Sequence, residues 1–226
     1  MAFYFSVQPY LSSYLQVVQE YDVTAAGRVT QTFAFISTIA AFFVSILIKY
    51  TCRYRIFVTF GCVVYVCGLL LMLLYRQEGN SGIQVLATQV IIGIGGGLVN
   101  VPVQLGVQAA SNHQELASCT AFFLTSLELG GAVGSAISGL VWSRLVPEKL
   151  HRYLPPEDQD DASEIFGKMT KALSYPPGSR PRVAINRSYQ ETLDRLLILA
   201  LVACIPLLPL SLLMTDYKLD EVGGLI

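Results

Sequence analysis

The sequence predicts an all-α polytopic membrane protein with six transmembrane helices. Apolar side chains make up 53% of the 226 residues and charged ones only 14%, against about 25% in an ordinary soluble domain. Mean hydropathy is +0.53. The apolar residues come in runs close to the roughly 20 that a helix needs to cross a bilayer, with the charges clustered between them. Backbone groups in lipid must bond within their own segment, so such runs are helices rather than open strands.

The first run, residues 3–18, is short and rather polar. Phe3, Tyr10, Tyr14 and Tyr21 share a side with Ser6. Rings with a polar tip suit a bulky amphipathic ligand and equally suit a membrane interface. Tyr10 and Tyr14 are the cavity candidates here. The opening residues lack a basic leader and a cleavage site. A chain that starts inside a helix in this way is expected to be a fragment or a truncated gene product.

The second and third runs cover 29–48 and 56–75. Lys49, Arg53 and Arg55 sit in the short turn between them, which the positive-inside rule places in the cytoplasm. The turns carrying Arg28 and Arg76 are then external, and the C-terminus, with Lys218, is cytoplasmic.

The fourth run, residues 83–110, contains no charge. Gln89, Gly93, Gly97, Asn100, Gln104 and Gln108 follow at steps of three or four, within roughly 100° of arc on a helix. Glycines at such spacing let another backbone approach. Large amides cannot face lipid without losing hydrogen bonds, so Asn100, Gln104 and Gln108 meet other helices or line a cavity. Pro102 is expected to break the helix locally. The GIGGG run follows no strand and is not a nucleotide loop.

The fifth run, residues 116–142, carries Glu128, the one charge well inside a run. A charge at such depth costs about 3 kcal/mol on insertion scales, so Glu128 is expected to face the bundle interior. There it is either a proton-handling carboxylate or a structural acid bonded to a neighbouring helix. Gly131, Ser135, Gly139 and Trp142 share its face. The small residues of 130–139 suggest close helix contact.

Residues 143–192 form a long external loop. Asp161 and Glu164 have capping-box spacing. Ile165, Phe166, Met169, Ala172 and Leu173 recur as on a short amphipathic helix over the mouth of the bundle, ended by Tyr175-Pro176-Pro177-Gly178. Asn186-Arg187-Ser188 is a glycosylation sequon, usable only outside. The sixth run, 193–214, is expected to kink at Pro206 and Pro209.

Other functions find little support. A net charge of −1 gives no basic field for nucleic acid. The five cysteines make no CxxC, and His113 and His151 have no second ligand nearby. The residues suggest no metal site, no cofactor and no catalytic group, so the chain does not read as an enzyme.

Several stretches resemble the fungal siderophore–iron transporters, a fourteen-helix branch of the major facilitator superfamily. They are Tyr14 to Val18, the turn Ile48 to Arg53, Gly95-Gly96-Gly97 with Gln104 to Ala110, Gly130 to Gly139 followed by Trp142, Leu173 to Ser179, and Ala184 to Tyr189. The loop motif before the last helix is the most specific. Cys52, where the family's turn usually has glycine, and Glu128, where an uncharged residue is expected, depart from the pattern. The resemblance implies two helical bundles around a central cavity. This chain would supply the C-terminal bundle, and the N-terminal half would be missing. It further implies import of ferric siderophores with protons across the plasma or an endosomal membrane, iron arriving caged in its chelator. Tyr175 and Tyr189 then become candidates for an external gate. The alternatives are a drug:proton antiporter of the related branch, or a truncated product inactive alone.

Overall fold

The computed structural model describes residues 2–75, 82–112 and 114–216, with side chains from Val7 onward. The expectations for Phe3, Ser6, Arg76, His113 and Lys218 lie outside these described parts.

The described residues form helices without strands. They are α1 (Ala2–Val17), α2 (Val23–Thr51), α3 (Arg55–Tyr75), α4 (Gly82–Ala109), α5 (Leu116–Tyr153), a 3-10 turn (Pro156–Asp161), α6 (Ala162–Gly167), α7 (Met169–Ser174), α8 (Arg180–Cys204) and α9 (Leu207–Leu213). Among the described residues five spans are long and apolar enough to cross a membrane: α2, α3, α4, α5, and α8 continued by α9. The sixth expected span is α1. It has 16 residues, from Ala2 to Val17, with Pro9 inside it.

Two helices run well beyond the apolar segments that announce them. α5 continues past Trp142 to Tyr153, and α8 starts at Arg180, ahead of the expected 193. The loop expected over 143–192 is correspondingly shorter. Ser179 explains the early start of α8. Its Oγ accepts a hydrogen bond from the Arg182 N–H at 3.3 Å, and proline occupies the first helical turn. Arg28 likewise lies inside α2 rather than in the turn before it.

The amphipathic loop helix is split. Lys168 adopts an extended backbone (φ −131°, ψ 108°) and separates α6 from α7. The expected capping box does not form, because the Asp161 carboxylate has a stronger cationic partner. It lies 3.0 Å from Lys171 Nζ and accepts a hydrogen bond from Tyr175 Oη at 3.1 Å.

α4 is the centre of the packing, held between α2 and α3. Its glycines serve both neighbours. A Cβ on Gly97 would sit 2.7 Å from Ala40 Cβ of α2, and one on Gly95 would sit 2.6 Å from Tyr65 N of α3. Contacts this short exclude any side chain and explain the run of glycines. Pro102 is buried in a continuous α4 and does not break it. At Pro206, where a kink is expected, the helical bonding lapses between α8 and α9 while Ile205 and Pro206 keep right-handed helical torsions, so the span continues through the break.

The two ends of the bundle are each tied. At one end the turn after α2 meets the end of α9. Tyr54 Oη donates to the Thr215 carbonyl at 2.6 Å, and the Arg55 guanidinium reaches the Leu212 carbonyl. The charge rule assigned these two segments to the same side. Cys52 in this turn is left-handed, φ 52°, which is why glycine suits the position. The opposite end gathers the α1–α2 turn, the loop helices and the start of α8. The main core joins them through Tyr14, Leu15, Met72, Ile92, Leu150, Ile165 and Ile185.

Candidate solute-facing surface

The stripe on α4 divides into a packed part and an open part. Gln89 is buried with its Nε2 3.7 Å from Met72 Sδ. Gly93 and Gly97 face α2. Asn100 and Gln104 are half-buried. Gln108 is also half-buried, and its Nε2 donates to Thr120 Oγ1 of α5 at 3.2 Å. The sequence left packing and cavity lining open together. The structure puts packing at the N-terminal end of the stripe and leaves Asn100 and Gln104 less covered.

α5 is the edge of the bundle. Its buried residues, Gly134, Ser138, Trp142, Val146 and Leu150, fall four apart on one narrow stripe. Residues 116–133 include none that is buried. A Cβ on Gly131 would meet nothing within 4 Å, and one on Gly139 would meet only Tyr10 Oη. The close helix contact expected for 130–139 is therefore realised at Gly134 and Ser138 but not at Gly131. Glu128 is exposed and has no hydrogen-bond or ion-pair partner among the described residues. This corrects the expectation that it points into the interior of this bundle, since no described helix walls off that side of α5.

The aromatic candidates separate by depth. Tyr10 of α1 is half-buried and stacks on Trp142 of α5, with centroids 4.4 Å apart and planes at 21°. Trp142 in turn meets Tyr189 of α8 edge-on at 5.3 Å. Tyr14 is fully buried in the core and does not line an open cavity. Tyr189 is also a core residue, 4% exposed, on α8 rather than in the loop before it, so it is placed as a packing residue and not as a gate. Tyr175 does lie in the loop, where it is half-buried. Burial, and then the hydrogen bond to Asp161, push its phenol above the ordinary range. The hydrogen bond with Lys171, then that with Tyr175, holds the Asp161 carboxyl below its usual value, and the same contact raises the Lys171 ammonium. Asn186 sits within α8 with its Oδ1 buried.

Two features at the loop end have no counterpart among the expectations from sequence. Arg182 is only 3% exposed. Its Nη1 donates to the Ala172 carbonyl at 2.6 Å and its Nη2 to the Val17 carbonyl at 2.7 Å. These carbonyls belong to the last turns of α7 and α1, where helices leave acceptors unpaired and negative potential accumulates. One guanidinium thus caps two helices and fastens the loop to α1. Further along α8, Glu191 accepts hydrogen bonds from Lys149 at 2.8 Å, Arg187 at 2.9 Å and Tyr153 at 3.0 Å, joining α5 to α8. The S-R-P-R start of α8 carries a capping signal, but nothing local indicates that its second arginine is buried.

Five spans long and apolar enough to cross a membrane, among the described residues, define a polytopic membrane protein of the helical-bundle class. Comparison with known proteins narrows this. The chain is 71% identical over 223 residues to the siderophore iron transporter mirC of Emericella nidulans, a match covering 99% of this chain and 37% of the relative. It is 69% identical over 223 residues to the MFS siderochrome iron transporter C of Aspergillus fumigatus, covering 99% and 36%. It is 41% identical over 183 residues to siderophore iron transporter 1 of Schizosaccharomyces pombe, covering 80% and 30%. The chain is therefore related along nearly its whole length to the fungal siderophore iron transporters of the major facilitator superfamily. It spans about a third of the length of these curated relatives. No family model matches the chain, and no solved structure matches it.

Proposed function

We propose that this chain forms the second helical bundle of a siderophore–iron transporter. In this reading the whole protein imports ferric siderophore chelates, with protons, through a cavity between two bundles. The observation that carries the reading is the 71% identity, across 99% of the chain, to a protein named as a siderophore iron transporter. The open edge of α5 supports it. Glu128 facing lipid would cost about 3 kcal/mol, so its side of α5 belongs against water or further helices. The less covered amides Asn100 and Gln104 are the solute-contact candidates, with Tyr10 beside them in the proposal as an aromatic surface. Glu128 is the proton-coupling candidate. Tyr175 remains a candidate for gating, now as part of a loop held down at Asp161 and Arg182.

The drug-antiporter alternative is not favoured, since the relatives carry siderophore names. The test is a transplant. The chain replaces the matching stretch of its 71%-identical relative, in cells lacking siderophore uptake, and labelled ferric hydroxamate is supplied. Import by the chimera but not by this chain alone supports a bundle that works only with its partner half. A correctly inserted chimera that fails while the relative imports would remove the reading.

A further inference from the structure

The end of the bundle opposite the loop carries a groove between α3 and α9. Its volume is about 540 Å³, and it is lined by Arg53, Arg55, Ile56, Thr59, Phe60, Val63, Leu212 and Asp216. These residues are sorted by height. Arg53 and Arg55 stand at the N-terminal end of α3, where the membrane span begins. Ile56, Thr59, Phe60 and Val63 follow at steps of three, one and three, so they form a single face running into the bilayer. Ile56, Phe60, Val63 and Leu212 are all exposed. The groove therefore offers a charged head and an apolar stem in line along the membrane normal.

The head is cationic on balance. Among the described lining residues Asp216 is the one carboxylate, and it accepts a hydrogen bond from the Arg55 backbone N–H at 3.4 Å. The Arg55 guanidinium is engaged by the Leu212 carbonyl. Arg53 is exposed, and its guanidinium has no partner among the described residues. The first turn of α3 holds no acidic residue, so its N-terminal backbone dipoles add positive potential. Lys49, exposed in the last turn of α2, stands on the same side of the membrane.

We infer that this groove is a binding site for an anionic phospholipid of the cytoplasmic leaflet. The headgroup phosphate lies at Arg53 and the first turn of α3, and one acyl chain lies along Ile56, Phe60 and Val63 against Leu212. A zwitterionic lipid fills the same stem but lacks the net charge that Arg53 rewards. The inference rests on the chain spanning a bilayer and is independent of what the protein transports.

The test uses the full chain in bilayers with Phe60→Trp as a reporter. The native Trp142 lies at the opposite end of the bundle, packed between Tyr10 and Tyr189. Brominated phosphatidylserine is titrated against brominated phosphatidylcholine. A basic residue beside an anionic headgroup is worth about a fivefold preference. The Phe60→Trp indole is expected to be quenched at about fivefold lower mole fraction of the anionic lipid, and Arg53→Gln is expected to bring the two lipids level. Equal quenching without the second substitution overturns the inference, as does a preference that survives Arg53→Gln. Absence of quenching by either lipid also overturns it, because polypeptide then fills the groove. Mass spectrometry of co-purified phospholipid measures the same preference without the reporter. Acidic lipid should be enriched on the unmodified chain and reduced on Arg53→Gln, and equal amounts on both count against the site.

Discussion

Replacing Arg182 by methionine should release the loop that carries α6 and α7. The arginine holds two helix-terminal carbonyls, of Ala172 at 2.6 Å and Val17 at 2.7 Å, from a position that is 3% exposed. A hydrogen bond from a charged donor contributes about 1.5–3 kcal/mol net, so the pair is worth about 3–6 kcal/mol. Methionine keeps most of the buried stem and removes the cost of desolvating a guanidinium, which brings the expected loss toward about 3 kcal/mol. Because 1.4 kcal/mol is a factor of ten, local opening of the loop becomes about a hundredfold more frequent. Hydrogen exchange reads this at the amides of Ala172 and Val18, which bond to Lys168 and Tyr14. Both should exchange about a hundredfold faster, while amides in α3 and α4 stay as they were. Arg182→Lys, with one compact ammonium for two carbonyls, should fall between. Unchanged exchange at both sites in Arg182→Met would refute the argument that one side chain fastens the loop to α1.

Other consequences follow from the same geometry. Gly95→Ala and Gly97→Ala drive a methyl to within 2.6–2.7 Å of Tyr65 N and Ala40 Cβ, so each should lower unfolding stability by about 1–3 kcal/mol. Gly131→Ala, with nothing within 4 Å, should leave the isolated chain no less stable in the same melting assay, and up to about 1 kcal/mol more stable because alanine favours the helix. Cys52→Gly relieves a left-handed backbone at φ 52° and should raise the melting temperature, by about 0.5–1 kcal/mol in stability. A lower melting temperature would mean that the Cys52 thiol matters more than its backbone. The loop should also respond to pH in a defined way. Asp161 is held below its ordinary 3.8 and Lys171 above its ordinary 10.5. Their contribution is thus complete between these values. It is lost as pH falls through the lowered Asp161 pKa, or rises through the raised Lys171 pKa. Exchange in α6 and α7, corrected for intrinsic rates, should be flat across neutral pH and rise below about 4 and again as Lys171 deprotonates. Asp161→Asn should remove that acid step.

Much of the bundle was legible because lipid imposes a blunt rule on composition. The runs at 29–48, 56–75 and 83–110 lie inside α2, α3 and α4 or within a residue of their ends. The ends of α5 and α8 were hidden for the same reason. Outside the bilayer a helix can be polar, so the charge-rich 143–153 and 180–192 read as loop, although Ser179 and Pro181 mark a helix start. The burial of Arg182 was illegible. Its two acceptors are 10 and 165 residues away in sequence, and only the assembled fold brings them together. Glu128 shows a different limit. Insertion cost says that this carboxylate avoids lipid, but not which surface covers it, and the described helices leave it open. The small-residue run beside it was read as packing, and that holds for Gly134 and Ser138 alone.

The central claim, that the open edge of α5 and the amide end of the α4 stripe face the solute path, is tested most directly by substrate protection. Single cysteines are placed at Glu128, Asn100 and Gln104 in the chimeric transporter, with its other cysteines removed. They are then labelled with a membrane-impermeant thiol reagent, with and without ferric hydroxamate. The account predicts labelling at all three positions, slowed by the ferric chelate and not by the iron-free ligand. Cysteines that never label, or that label equally with the chelate bound, would contradict it.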